Sequence, residues 1–170
     1  MHSEAREWIV ASILAHGGSA ISSVLELGSQ DINGSIRPFF GAGCRYVGLD
    51  VFDRPGVDWV GLAHDYPAAG WDGEPFDALL STECLEHDPH WERTLTENAA
   101  LVRVGGLVAL TCACYARPPH GVEHDTPTPG YYRNLGEAEL RPVLLAAGIE
   151  GRFKVARKGE DLYFAGRRVS

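Results

Sequence analysis

The sequence of 170 residues holds 23 acidic and 15 basic side chains, a formal charge of −8, with 45% hydrophobic and 22% charged residues. This balance excludes intrinsic disorder and makes a phosphate backbone a poor partner, and no stretch approaches the run of about 18 apolar residues that a membrane helix needs. One domain spanning 1–170 is expected, large enough to bury about 70% of its unfolded surface without disulfides.

The opening segment "SEAREWIVASILAHGG" places Trp8, Ile9, Ala11, Ile13 and Leu14 at helical spacing, with Ser3 as N-cap and Gly17 as stop. Glu4, Arg6 and Glu7 fall where a secretory signal would carry its basic start and apolar core, so a cytoplasmic location is expected. "SSVLELG" and "CRYVGLDV" are apolar runs of strand length, and "VDWVG", "FDALLST" and "GLVALTCACY" continue the series. Between the last two, "HWERTLTENAALVRVGG" sets Trp91, Leu95, Ala99 and Leu101 on one helix face and reaches its stop at the glycines. A final helix is expected in "GEAELRPVLLAAG", where Pro142 is tolerable only in the first turn. "EGRFKVARKGEDLYFAGRRV" then reads as two strands joined at Lys158-Gly159-Glu160-Asp161, a hairpin. Strands alternating with helices mean β-α-β units and a parallel sheet.

Chemistry is expected where the first strand breaks, in "LELGSQDING". A phosphate loop of the Gly-Lys-Ser/Thr type fails there because the residues are Asn33-Gly34-Ser35, with no lysine. A dinucleotide loop is weakened, since Gln30 and Asn33 stand where G-x-G-x-x-G needs its second and third glycines. Gly34 predicts a turn at positive φ, with a short helix starting at Ser35. S-adenosylmethionine is the third reading: it has no phosphate, bears a sulfonium cation, and asks less of glycines and more of acids. Glu26 and Asp50 supply those acids, Asp50 coming 22 residues after Gly28 (50 − 28) at a strand end, where a carboxylate can accept both ribose hydroxyls. The alternative for Asp50 is a turn cap. Ser81, Thr82 and Glu83 follow the fourth strand, at the sheet edge that receives ligands, and are placed to line the sulfonium end.

"VLELGSQDINGS", "YVGLDV", "FDALLSTECLEH" and "LVRVGGLVALT" occur in the order and rough spacing that resemble the class I S-adenosylmethionine-dependent methyltransferases, in particular the small type-11-like branch. The resemblance covers residues 22 to 115. It implies an α/β fold, a Rossmann-like three-layer sandwich whose seven-stranded, mostly parallel sheet has an antiparallel last strand. It implies further that Glu26 lies near the methionine amino group, that Gly28 lets the ligand approach, with Ser29 and Gln30 beside it, that Asp50 holds the ribose, and that Val51 lies against adenine. The family's adenine-binding acid, two residues before His64, is here Leu62, which leaves Ala63, His64 or Asp65 as substitutes. Glu86 and His87 stand at the family's Leu-Glu-His positions, where His87 is a candidate general base, the alternative being an orienting hydrogen bond.

Residues 114 to 136 form a long proline-rich segment of the kind that is functional or disordered. The resemblance makes it the acceptor side, with "HG" and "YYR" supplying His120, Tyr132 and Arg133; for Arg133 a surface ion pair is the competing role. His120 and His124 are four apart, but Pro118, Pro119 and Pro127 argue against the helix that metal binding at that spacing would need, and no metal is expected. The four cysteines, Cys44, Cys84, Cys112 and Cys114, contain no C-x-x-C pair and read as reduced structural thiols. The expected activity is methylation of a small-molecule or sugar-like acceptor at O or N, with acceptor recognition from the first helix, the loop near 85 to 92, and residues 114 to 136. Neither a nucleic acid nor a membrane is an expected partner. The competing readings are a nicotinamide-dependent oxidoreductase, and a non-catalytic scaffold of the same fold, motivated by Leu62.

Overall fold

A computed structural model describes residues 2–121 and 130–170. His124 and Pro127, named above, lie outside the described residues. In chain order the elements are α1 (Ser3–Ala15), β1 (Ser23–Leu27), β2 (Arg45–Asp50), β3 (Trp59–Val60), α2 (Tyr66–Ala69), β4 (Phe76–Thr82), α3 (Trp91–Ala99), β5 (Val102–Ala113), α4 (Glu137–Ala146), β6 (Ile149–Ala156) and β7 (Asp161–Arg168). The strands form one sheet in the order β3-β2-β1-β4-β5-β7-β6. β1 to β5 pair in parallel, and β7 runs antiparallel to both β5 and β6. The last strand is thus inserted between β5 and β6. The fold is the expected Rossmann-like three-layer sandwich.

Alternating side chains divide the core between the two faces of the sheet. Val24, Ala78 and Leu80 pack with Ile9 and Ile13 of α1, whereas Leu25, Leu27 and Leu79 pack with Leu95 of α3 and Leu144 of α4. Because β1 and β4 are buried on both faces, they read as unbroken apolar runs. All four cysteines are free thiols.

Local expectations change at four places. His2, not Ser3, caps α1, its ring accepting the Ala5 N–H at 3.4 Å. The 3₁₀ turn after Gly34 spans Arg37–Phe39, with Ser35 Oγ accepting the Arg37 N–H at 3.0 Å. α3 stops at Ala99, and "VRVGG" belongs to β5, where a register shift against β4 and a Gly105 φ of +81° absorb the glycines. Pro142 sits inside α4 rather than in its first turn, on an exposed face where water can satisfy the carbonyl that loses its N–H partner.

Candidate active site

A cleft of about 540 Å³ opens at the carboxyl ends of β1, β2 and β4. This is the edge at which open α/β sheets take ligands. β1 is followed by Gly28, whose φ of +72° turns the chain, and a Cβ there would fall 2.6 Å from Cys84 Cβ. The loop after it spends its amides internally. Gly28 and Ser29 both donate to the Leu49 carbonyl, at 2.9 and 3.0 Å, and Asp31 donates to Pro55 at 3.0 Å. Gln30 N–H donates to Asp50 Oδ2 at 3.3 Å, and Ile32 N–H to the Gln30 carbonyl at 3.0 Å. With these five donors occupied, the stretch from 28 to 32 offers no backbone cradle for a phosphate.

Acidic groups line the cleft instead. Glu26, on β1, is almost wholly buried; burial pushes its carboxyl up to about 7, opposed by the hydrogen bond from Tyr46 and by the Arg37 charge. Asp50 stands at the tip of β2, its two oxygens accepting the amides of Gln30 and Phe52 at 3.3 and 3.2 Å. Glu83, in the left-handed region at φ +52°, lies 3.4 Å from Arg117. Val51, Phe52 and Leu62 are exposed and form an apolar rim. Where the acid of the resembled family is absent, Ala63 and His64 line the wall; the Ala63 carbonyl accepts from Asn98 at 2.8 Å, and the buried His64 packs edge-on against His90.

Of the expected residues, Glu26, Gly28, Ser29, Gln30, Asp50 and Val51 line the cleft, as do Ala63, His64, Thr82, Glu83, His87 and His120. Ser81 does not. It shares the side-chain direction of Leu79, toward the core against α3 and α4, and is fully buried. Tyr132 stands behind the cleft wall, its ring 5.4 Å from His87 and 4.9 Å from His120. Arg133 does not line the cleft and takes the competing role of an exposed ion pair, with Glu139. Burial, together with the neighbouring His120 and Arg117, pushes the His87 ring down to about 4, so it is neutral and an acceptor at neutral pH.

Sequence reading missed a polar group at the same end of the cleft. Buried Asp161, the first residue of β7, accepts from Arg117 at 2.6 Å and Tyr163 at 3.0 Å, and lies 2.9 Å from His2 Nε2. The bond to Asp161 holds the His2 ring above its ordinary value. Glu86 is wholly buried, its Oε1 accepting the Ala113 N–H at 3.0 Å; burial and the nearby Glu83 push it up to about 8. Nothing local marks His2 and Asp161, because they meet from opposite ends of the chain, whereas Glu86 stands in the Leu-Glu-His stretch already named.

No protein-family model matches the sequence, and no curated protein does. Solved structures do match the fold. A 1,6-didemethyltoxoflavin-N1-methyltransferase from Burkholderia thailandensis, crystallised with 1,6-didemethyltoxoflavin and S-adenosylhomocysteine, is 22% identical with a TM-score of 0.68, covering 98% of this chain and 79% of its own. An S-adenosylmethionine-dependent methyltransferase from Clostridium acetobutylicum is 8% identical with a TM-score of 0.71, covering 100% and 93%. A sugar N-methyltransferase from Streptoalloteichus is 13% identical with a TM-score of 0.69, covering 97% and 87%. The chain has the fold that these methyltransferases share.

Proposed function

We propose that the protein is an S-adenosylmethionine-dependent methyltransferase acting on a small-molecule or sugar-like acceptor. The observation that carries this reading is the loop after β1, whose amides from Gly28 to Ile32 are all spent within the chain while Glu26, Asp50 and Glu83 line the cleft. That donor set suits a ligand with no phosphate and with cationic amino and sulfonium groups. It does not suit a pyrophosphate, which needs free N–H donors and glycines at the positions of Gln30 and Asn33.

When bound, the cofactor supplies an activated methyl group. The chain's part is to bind and orient. Asp50, already held by two amides, would take the ribose hydroxyls; Val51 and Phe52 would cover one side of the adenine; Glu26 would receive the amino group. His87 and His120, with Tyr132 behind them, face the acceptor. Positioning and exclusion of water can supply most of the rate gain in such a displacement, so a strong base is not required. The fold relatives crystallised with a didemethyltoxoflavin or described as acting on a sugar favour an acceptor of that size.

Isothermal titration tests this. S-adenosylhomocysteine should bind saturably and NAD should not, and Asp50→Asn should weaken S-adenosylhomocysteine at least about tenfold, or ~1.4 kcal/mol, with little change in Tm. Binding of NAD without S-adenosylhomocysteine would overturn the reading in favour of an oxidoreductase. Transfer of labelled methyl to a hydroxyl or amine acceptor would dispose of the scaffold alternative.

A further inference from the structure

Glu86, His87 and His120 converge from two separate segments. A Glu86 carboxylate oxygen, a His87 ring nitrogen and a His120 ring nitrogen all lie within 4.8 Å of one another. Ligand atoms around an ion bound at ~2.1 Å stand ~3–3.5 Å apart, so the three groups would have to close on it. Two features point to a ligand at this place. First, Glu86 Oε2 is buried and lacks a hydrogen-bond partner among the described residues, in a side chain that is 0% exposed. A buried carboxyl oxygen with no partner is costly, and a cation beside it would both satisfy it and hold the group as a carboxylate. Second, the His120 imidazole is oriented from behind. His120 Nδ1 lies 3.2 Å from the Pro118 carbonyl, which can only accept, so Nδ1 donates and Nε2 is the nitrogen left to face a ligand. Metal-binding histidines are fixed this way, one nitrogen donating to a carbonyl and the other turned to the ion.

We propose that Glu86, His87 and His120 form a site for a divalent first-row transition ion. One carboxylate and two imidazoles favour Mn²⁺, Fe²⁺, Co²⁺ or Zn²⁺ over Ca²⁺, which takes oxygen ligands. Three protein ligands leave further coordination positions open. His87 and His120 line the cleft and Glu86 does not, so the open positions face the acceptor end. Resting on the methyltransferase reading, the acceptor that suits such a site carries a hydroxyl or a pair of neighbouring hydroxyls, whose oxygens would complete the coordination sphere. His87 is then a ligand in place of a general base.

The second three-residue group, His2, Glu83 and Asp161, is a different case. Its two acids already have a cation in Arg117, which donates to Asp161 at 2.6 Å and lies 3.4 Å from Glu83, and Tyr163 also donates to Asp161. It serves as the internal control.

The test uses the full chain, stripped with a chelator and titrated with Co²⁺ and Mn²⁺. One ion should bind per chain, with Co²⁺ giving the visible absorption of an imidazole-ligated site. His120→Ala and Glu86→Gln should each weaken binding at least about tenfold; Gln at 86 keeps an oxygen for the Ala113 N–H, and His120 lies on an exposed segment, so both variants should fold. His16→Ala should change nothing. Absence of binding to the stripped protein, undiminished binding in both variants, or loss of binding in Asp161→Asn instead would overturn the proposal. S-adenosylhomocysteine titrated into the same variants separates the two claims: its binding with no metal binding defeats the ion site alone, and failure to bind in the parent protein defeats the methyltransferase reading.

Discussion

The Tyr46 hydroxyl donates to Glu26 Oε2 at 2.7 Å, from β2 to β1, in the wall of the cleft. Neither group is free to ionise as it would in water: burial raises the Tyr46 hydroxyl, and Glu26 is pushed up to about 7. The pair holds a carboxyl poised to become an anion when a cation arrives.

S-adenosylhomocysteine affinity should therefore rise between pH 6 and pH 8, as Glu26 gives up its proton without the ligand's help. The rise should flatten in Glu26→Gln. The sign for stability is opposite. Because the folded value of about 7 lies above the ordinary 4.5, the ligand-free protein loses stability as pH climbs from about 4.5 to about 7, and Glu26→Gln should not show that loss. Titration calorimetry and denaturant melts across this range check both. Equal pH slopes for the parent and Glu26→Gln would show that Glu26 does not govern binding.

Gly28→Ala should cost about 2–4 kcal/mol of stability. An alanine must adopt the positive φ that glycine takes freely, and its methyl would fall 2.6 Å from Cys84 Cβ and 2.7 Å from Cys84 Sγ. The turn can relieve that overlap only by shifting, so ligand affinity should fall with stability. Urea melts and calorimetry on the same preparation measure the two losses. A stable variant with unchanged affinity would mean that this turn does not shape the cleft.

Asp77 offers the contrasting case, at the other edge of the sheet. Its carboxylate accepts from the Ser22 amide and hydroxyl at 2.7 and 2.8 Å, from the Ser23 amide at 3.0 Å and from Arg103 at 2.6 Å. Burial alone would raise it, but the bonds from Arg103, Ser22 and Ser23 outweigh burial and hold it at about 2. Asp77→Ala should cost about 1–3 kcal/mol, with S-adenosylhomocysteine affinity unchanged. Its contribution should be complete above about pH 4 and vanish as pH falls toward 2. Acid titration of the parent against the variant reads this, and converging stabilities at pH 7 would contradict it.

Elements whose signal is local are legible in the chain alone. The apolar runs at 23–27 and 76–82 had to be buried strands, and Gly17, Gly28 and Gly34 marked real turns, all at positive φ. The acids at strand ends, Glu26 and Asp50, were legible because side-chain alternation and spacing from a glycine fix where a residue stands. Pairing and desolvation belong to the tertiary structure, because they join residues far apart in the chain. The sheet alone decided that β7 enters between β5 and β6, that "VRVGG" extends a strand rather than a helix, and that Ser81 turns to the core. It also decided that the amides of 28 to 32 are spent on Leu49, Pro55, Asp50 and the loop itself. Burial, which no local pattern measures, moved Glu26, Glu86 and His87 from their ordinary values and brought Glu86 against His87 and His120.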